Sequence, residues 1–488
     1  MYTGRTLFGA KSPKGQELDD QYYGAIKPRV SAFMKALDEE LWKLGVPVKT
    51  KHNESAPGQH ELAAMHTTAN IATDHNQLIM EIMQSIAKEH GMICVLHEKP
   101  FEGINGSGKH NNWSLATGTG ANLLDPGATP HENAQFLLFL AAVIKAADDY
   151  QDLLRVSATG ADNDRRLGMS EAPPAIISVY LGDELLEILD AIISETPYDA
   201  GGKEPVMKIG VSVLPTFPKD TTDRNRTSPF AFTGNKFEFR MVGSSMSIAK
   251  ANIAINTAVA ESLRIFADEL EGKSDFQAAL HLLIKKTISE HRRIIFNGNG
   301  YDGDWVREAE ARGLLNLKTT PDALPCMMHE KNIALYERHN VFSRAELQSR
   351  LEINLENYCK LCNIEAVTLY KLAKKDMLYA ATAYASELSE AALAKKAFLP
   401  EADRTYEHDT VMRLSDFSAV MHYRVTELYG ALCEAEEKAD TLERARFFKD
   451  KVLTKMEELR EIADEMELII SRKHWPFPTY GDLLFSVR

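Results

Sequence analysis

The chain has 488 residues, of which 44% are hydrophobic and 26% charged, enough for roughly two to four domains with their own cores. Its 56 Lys and Arg against 70 Asp and Glu give a net charge of −14, which disfavours nucleic acid and anionic membranes as partners because both are negatively charged. No apolar run could span a bilayer, and residues 1–15 lack a signal-peptide core. We therefore expect a cytoplasmic protein.

Five cysteines in so long a chain are typical of a reduced compartment. Cys359 and Cys362 form a lone C-x-x-C in a segment of helical character. Because a zinc knuckle needs four ligands and no second pair is present, this spacing indicates two thiols on one helix face.

The first part of the chain alternates strand-like and helical patterns. Helical spacing predicts helices over 30–44 and 135–148, and β-rich or alternating residues predict strands over 46–50, 92–96, 206–214 and 236–242. A polar Pro-Gly turn lies at 56–58, and a Gly/Asn-rich loop follows at 101–110.

After about residue 244, helical periodicity dominates, with a Gly/Asn break at 297–300 and a Pro-containing linker at 399–400. Residues 416–439 and 442–470 predict a long antiparallel helical hairpin. The W-P-F-P stretch at 475–478 is expected to be extended, because proline and the residue before it disfavour helix.

The motif K-H-N-E-S-A-P-G-Q-H-E at 51–61 places a carboxylate on each side of the turn. If the flanks pair as a hairpin, Glu54 and Glu61 can converge on one hard cation. The alternative is an ordinary polar hairpin tip. A zincin is excluded because Ala64 stands where H-E-x-x-H needs its second histidine.

The Gly-rich loop G-I-N-G-S-G-K-H at 103–110 resembles a phosphate-binding P-loop. Against this, His110 replaces the Ser or Thr that would hold magnesium, and Pro100 separates the loop from its strand. Two interpretations stay open: a P-loop NTPase, or a glycine turn that presents His110 as a metal ligand.

Two further segments combine arginine with glutamate. R-R-L-G-M-S-E-A-P-P at 165–174 puts both in a Gly/Pro-rich loop, suited either to carboxylate binding or to a surface ion pair. N-R-T-S-P at 225–229 precedes K-F-E-F-R at 236–240. On a strand, Lys236, Glu238 and Arg240 share one face, which suits either a metal–phosphate site or a solvated edge.

Taken together and in this order, these segments resemble the glutamine synthetase family. They are similar to its metal-binding hairpin, its Asn-Gly-Ser-Gly-x-His loop, its Arg-Leu…Glu-Ala flap, and its arginine and Glu-x-Arg strand. The long helical C-terminus and the closing W-P-F-P-T-Y-G-D-L-L-F resemble the type III branch. The resemblance covers essentially the whole chain.

This resemblance implies ATP-dependent ligation of ammonia to the γ-carboxylate of L-glutamate, through a γ-glutamyl phosphate, in nitrogen assimilation. Two or more Mg²⁺ or Mn²⁺ ions would be cofactors. Glu54 and Glu61 would hold the first ion, and His110 and Glu238 the second. Each ion would neutralise charge on a different reactant during phosphoryl transfer.

The resemblance also implies roles for residues that bind the reactants. Asn105, Gly106 and Arg166 would bind glutamate. Ser114 and Lys236 would contact the nucleotide. The residues expected to act in catalysis are Arg226 and Arg240, on the transferred phosphoryl group, and Glu171, which would close over the site and help deprotonate ammonium.

Some features depart from the family pattern. The family's N-terminal β-domain and its early Glu-x-Glu strand are not recognised before Lys51, so we expect an incomplete metal site. Ala231 stands where a second phosphate-binding arginine is expected, and Asn112 where the nucleotide sugar usually meets an aromatic residue or histidine. Family members form homo-oligomers with sites between subunits, and we expect impaired assembly here.

The predicted fold class is α+β: an antiparallel, partly closed catalytic sheet followed by a large helical region. The predicted domains are 1–300, catalytic and incomplete at its N-terminus, and 301–488, helical. Besides a working ligase, two alternatives remain: a non-catalytic or split-subunit fragment of glutamine synthetase, and a P-loop NTPase.

Overall fold

A computed structural model describes residues 9–10, 14–169, 171–198 and 227–485, together with the backbone of 206–207 and 217–218. The strands are β1 (Val48–Asn53), β2 (His60–Ala64), β3 (Gly108–Trp113), β4 (Val179–Tyr180), β5 (Val206–Met207), β6 (Phe217–Pro218), β7 (Phe230–Phe232) and β8 (Phe237–Gly243). Of the strand predicted over 206–214, only β5 lies within the described residues.

The helices confirm an α+β fold with a large helical C-terminal region. They are α1 (Pro28–Lys43), α2 (Ala69–Glu89), α3 (Ala134–Asp149), α4 (Gln151–Val156), α5 (Asn163–Arg166), α6 (Asp183–Ser194), α7 (Ala249–Leu270), α8 (Phe276–His291), α9 (Gly303–Ala311), α10 (Thr320–Ala323), α11 (Glu330–Arg338), α12 (Arg344–Leu372), α13 (Leu378–Phe398), α14 (Thr405–Glu436), α15 (Thr441–Phe447), α16 (Leu453–Ile469) and α17 (Tyr480–Leu484). In the described part of the chain, no helix combines the length and the apolar character needed to cross a membrane.

The larger sheet has the strand order β3-β8-β7-β4. Its strands β3, β8 and β7 are antiparallel, as predicted, but β4 pairs with β7 in parallel. The parallel pair is a difference from the predicted antiparallel sheet. It arises because the long connection from β4 to β7 contains helix α6, and a crossover of this kind returns the chain in the same direction.

Strand β8 confirms the alternation seen in its sequence. Phe237, Phe239 and Met241 are fully buried in a core formed by the sheet with α3, α7 and α8. The residues between them, Glu238 and Arg240, therefore face the other side of the sheet, where the polar motifs gather.

The strand predicted over 92–96 does not form. This segment has no regular secondary structure, and no described strand pairs with it. Met92 and Cys94 pack against the small core between α1 and α2, whereas Ile93 remains 86% exposed. The prediction rested on the continuous apolar run at 92–96, but strand formation also needs a partner backbone, which composition does not reveal.

The helical region has its own core, to which α12, α13, α14 and α16 contribute. Helices α14 and α16 pack together and confirm the predicted helical hairpin, although α14 begins earlier, at Thr405. Cys359 and Cys362 both lie on the helix α12, as predicted, and they are buried there. Trp305, Ala309 and Leu314 follow residue 300 but pack in the core that the larger sheet forms with α3, α7 and α8. The division at residue 300 stays a prediction.

The C-terminal residues return to the first half of the chain. Trp475 packs on the helical core, and residues 475–478 are not helical, as predicted. The short helix α17 then lies against the Gly-rich loop and the β1–β2 turn, because Tyr480 and Leu484 share a small apolar cluster with Ala56 and Ile104.

Candidate active site

The first group of ligands lies on the β1–β2 hairpin. The strands pair so that His52 stands directly opposite Glu61. Hydrogen bonds from Glu54 N to Gln59 O and from Gln59 N to Ala56 O, each 3.0 Å long, close the turn. Gly58 has φ +72°, a conformation that glycine adopts without strain. The Pro-Gly pair thus fixes the turn that brings the two glutamates to one side.

Glu54 and Glu61 converge as predicted, and His52 joins them. His52 Nε2 lies 2.8 Å from Glu54 Oε1 and 3.8 Å from Glu61 Oε2. The ligand atoms of the three residues all lie within 4.8 Å of one another. Sequence reasoning missed His52, although its i, i+2 spacing from Glu54 on an extended segment could have indicated it.

The second group joins neighbouring strands of the larger sheet. His110 lies at an irregularity in the β3–β8 register, which falls between Lys109 and Asn111. Its Nδ1 is 4.0 Å from Glu238 Oε2, too far for a hydrogen bond. Two atoms that each bind one ion at about 2.1 Å can lie up to about 4.2 Å apart, so this gap suits a shared cation.

Arg240 sets the charge of this second group. It is 2% exposed and donates from Nε (3.2 Å) and from its terminal nitrogen (3.0 Å) to Glu238 Oε2. Burial alone would raise the pKa of Glu238, but the charge and hydrogen bonds of Arg240 outweigh it and the pKa is lowered. Glu238 is therefore an ionised, metal-competent carboxylate at neutral pH.

His110 is kept neutral by its surroundings. Loss of hydration, helped by the charge of Arg240, lowers its pKa, although about half (49%) of its side chain remains accessible. The charge of Glu61 acts in the opposite direction, which places this hairpin carboxylate near His110 on the sheet. A neutral imidazole is the form that binds metals.

The Gly-rich loop is held by side chains from distant segments. Gln16 bonds Asn105 twice, donating to its Oδ1 (2.6 Å) and accepting from its backbone N (2.8 Å). Gln59 donates to Gly106 O at 3.0 Å. A Cβ on Gly106 would lie 2.5 Å from Glu98 O, so only glycine fits there.

Arg166 lies beneath this loop and is 4% exposed. Its guanidinium donates to Asn163 Oδ1 (3.0 Å) and to the carbonyls of Met241 (3.3 Å) and Arg240 (3.0 Å). In this state it fixes β8 to α5, and its role in binding glutamate stays a prediction.

Glu171 adopts a positive φ of +64°, uncommon for a residue with a side chain. Tyr301 lies beside Glu171. Burial and the Glu171 charge raise the pKa of Tyr301 to about 12, while the charges of Arg166 and Arg240 act to lower it. Sequence reasoning missed Tyr301, which directly follows the Gly/Asn break at 297–300. Tyr301 lies more than 60 residues along the chain from the nearest of the other motifs, so no local pattern connects it with them.

Two predicted nucleotide contacts lie at one end of the sheet. Trp113 pairs with Phe237, so the neighbouring Ser114 and Lys236 lie close together. The Ser114 hydroxyl donates to Asn122 Oδ1 (2.7 Å) or Asn235 O (3.1 Å) and remains exposed. Arg226, also predicted, lies outside the described residues.

The P-loop interpretation is wrong. A strand, β3, begins at Gly108 where a P-loop would open a helix. Lys109 also points away from the cleft: its ammonium bonds Met246 O and contacts Met80 Sδ at 3.1 Å. Burial lowers its pKa to about 8.

Two family models match the chain. One, described as "Glutamine synthetase, catalytic domain", covers residues 7–173, and the other, "Glutamine synthetase C-terminal domain", covers residues 279–396. The first model includes the hairpin, the Gly-rich loop and the Arg166–Glu171 segment. The matched class is therefore that of a ligase catalytic domain, as the ordered motifs predict.

Similarity over the whole of this chain makes the assignment more specific. The chain is 48% identical to a glutamine synthetase of Butyrivibrio fibrisolvens, over 100% of this chain and 70% of the relative. It is 46% identical to a type-3 glutamine synthetase of Dictyostelium discoideum (99% and 66%) and 41% identical to a glutamine synthetase of Bacteroides fragilis strain YCH46 (99% and 68%). The chain belongs to the glutamine synthetase family, the glutamate–ammonia ligases, and spans about two thirds of the length of these relatives.

Proposed function

We propose that this chain ligates ammonia to the γ-carboxylate of L-glutamate at the expense of ATP, in nitrogen assimilation. The γ-carboxylate would attack the terminal phosphorus of ATP and release ADP. Ammonia would then attack the acyl carbon of γ-glutamyl phosphate, lose a proton, and release inorganic phosphate. The observation that carries this proposal is the meeting of two ligand groups, on the hairpin and on β3–β8, at one cleft beside Arg240.

The donor chemistry fits two divalent ions. His52, Glu54 and Glu61 offer one imidazole and two carboxylates, and His110 and Glu238 offer one of each. Mg²⁺ and Mn²⁺ accept such oxygen and nitrogen ligands, and water and substrate oxygens would complete their coordination. When bound, the ions would supply charge neutralisation on the carboxylate and phosphate oxygens.

The chain's own cations and flap would act on the reactants. Arg240 is buried and held by Glu238, so its position is fixed before substrate arrives, which favours electrostatic stabilisation of a transferred phosphoryl group. Glu171 lies beside Tyr301 at the rim of the cleft. We assign it to shielding the acyl phosphate from water and to accepting a proton from ammonium.

Glutamate would lie against the Gly-rich loop. Asn105 and Gly106 would contact it through an amide and a close backbone approach, and Arg166 would attract its carboxylate from below. Ser114 and Lys236 would meet the nucleotide at the far end of the sheet. Homo-oligomerisation with sites between subunits belongs to the same proposal.

The test combines metal binding with turnover. Titration of Mn²⁺ with and without ATP should reveal two sites. The same sample should release phosphate from ATP only with glutamate and ammonia present, and should form γ-glutamyl hydroxamate when hydroxylamine replaces ammonia. Glu61→Gln should remove one site and at least about tenfold of the activity. Glu81→Gln, an exposed change on α2, should alter neither. Two-site binding without any turnover would favour the non-catalytic alternative.

A further inference from the structure

The C-terminal helix touches both loops that carry the candidate site. Tyr480 and Leu484 share an apolar cluster with Ala56 of the hairpin turn and Ile104 of the Gly-rich loop. The carbonyl of Leu484 would lie 3.8 Å from a Cβ on Gly58. Residues more than 370 positions apart in the sequence therefore meet directly behind the proposed metal and glutamate sites.

Tyr480 makes the most specific of these contacts. It is 2% exposed, and its ring meets that of Phe101 edge-on, with 5.5 Å between centroids. Its hydroxyl oxygen accepts from Arg460 at 2.7 Å and from the backbone N of Glu102 at 3.4 Å. The phenol thus joins α16, a helix of the helical region, to the backbone of the Gly-rich loop.

Arg460 fixes the other side of this hydroxyl. It lies buried on α16, where it donates to Asp464 (3.1 Å) and to Gly9 O (3.1 Å), and its guanidinium is 3.5 Å from the Glu102 carboxylate. A buried guanidinium needs several partners to offset its lost hydration. These partners leave it one orientation, so the phenol of Tyr480 is held as well.

The Gly-rich loop depends on such outside support. Residues 101–107 have no regular secondary structure. Besides Tyr480, the loop is held by Gln16, by Gln59 and by the bond from Ser107 N to Glu98 O at 2.8 Å. Since each missing anchor enlarges the conformational freedom of an irregular loop, every one of them bears on where Asn105 and Gly106 lie.

We propose that Tyr480 is a positioning residue for glutamate binding, through which the helical region holds the Gly-rich loop and the hairpin turn in their binding geometry. The proposal rests on the proposed function, because it names the Gly-rich loop as the glutamate site. It gives the helical C-terminal region a direct role at a site formed by the first half of the chain. Tyr480 touches no reactant.

The decisive variant is Tyr480→Phe, which removes the hydroxyl and keeps the ring against Phe101. Its matched control is Tyr384→Phe in the helical core, where the lost hydroxyl bonds the hydroxyl of Tyr406 at 3.0 Å. Tyr480→Phe should raise the KM for glutamate about three- to tenfold and change kcat less than twofold, since a loosened loop weakens binding more than chemistry. Tyr384→Phe should change neither.

Hydrogen exchange gives a readout that needs no activity. In Tyr480→Phe the amides of Ser107 and Gln59, neither bonded to Tyr480, should exchange faster than in the unaltered chain, and Tyr384→Phe should leave them unchanged. Unchanged exchange in Tyr480→Phe overturns the proposal. If the unaltered chain shows no turnover, the proposed function fails and exchange alone decides. Leu484→Ala provides the same comparison should Tyr480→Phe not fold.

Discussion

The side-chain amide of Gln59 donates a 3.0 Å hydrogen bond to the backbone carbonyl of Gly106. This bond joins the turn of the hairpin proposed to bind metal to the loop proposed to bind glutamate. Gln59 is not among the ligands predicted from the sequence. It helps to fix the distance between the two motifs, which the proposed reaction would need in order to hold metal and glutamate in register.

Replacing Gln59 should therefore weaken metal and glutamate binding together. Gln59→Ala should lower kcat/KM for glutamate about three- to tenfold and weaken Mn²⁺ binding, because the hairpin loses its link to Gly106. Gln348→Ala, which loses only a bond to Glu352 on an exposed helix face, is the control. Equal values for the two variants would show that the bond positions nothing.

Adjacent residues on β3 should give opposite phenotypes. Lys109 bonds Met246 O away from the cleft, whereas His110 faces Glu238. Lys109→Ala should lower stability and leave ATP binding intact, and His110→Ala should weaken Mn²⁺ binding at least about tenfold with little loss of stability. Titrations of ATP and Mn²⁺, paired with thermal unfolding, measure both. Loss of ATP binding in Lys109→Ala alone would restore the P-loop interpretation.

A buried acid pair should make stability depend on pH. Burial and the neighbouring Glu98 raise the pKa of Asp162 to about 8. Between about pH 4, where an unfolded aspartate ionises, and pH 8, the folded chain keeps a proton that the unfolded chain has lost. The unfolding free energy should therefore fall as pH rises through this window.

Asp162→Asn should flatten that slope, since an amide needs no proton to lie beside Glu98. The measurement is urea unfolding at pH 5.5 and pH 8, where the variant should gain relative to the unaltered chain at the higher pH. Asp376→Asn, at an exposed position of the helical region, should keep the original slope. Equal dependence of the unfolding free energy on pH in all three proteins would contradict a proton held on Asp162.

Local patterns were enough to predict several parts of this site. Alternation at 236–240 correctly placed Phe237 and Phe239 in the core and Glu238 on the opposite face. A Pro-Gly turn between two glutamates correctly predicted their convergence. Both depend on neighbours within about ten residues, where side-chain direction follows directly from backbone periodicity.

Features that depend on distant partners were not predictable. Tyr301, Gln16 and Tyr480 reach the site through tertiary packing, and their local periodicity does not place them there. The strand expected over 92–96 does not form for the same reason, since a compact apolar run gives no information on whether a neighbouring backbone will pair with it. A pattern in the sequence describes a single segment, whereas these features depend on contacts between two segments that are far apart in the chain.

The junction between the two cores offers a last test. Arg155, 1% exposed on α4, pairs with Asp164 at 2.9 Å and donates to the carbonyls of Leu317 and Lys318. Thr320 N donates to Asp164 at 2.6 Å. These bonds tie α4 and α5, which carries Arg166, to the segment entering the helical region.

Arg155→Met should destabilise the chain by about 3–5 kcal/mol, because it leaves the Asp164 carboxylate buried without its cation. Burial already raises the pKa of Asp164. Without Arg155 the pKa of Asp164 would rise further, so the folded chain would bind a proton that the unfolded chain releases. The loss of unfolding free energy should therefore be larger at pH 8 than at pH 5. Arg307→Met removes an exposed pair with Asp304 and should cost less than about 1 kcal/mol at either pH. Similar losses from both variants would mean that the buried pair does not hold the cores together.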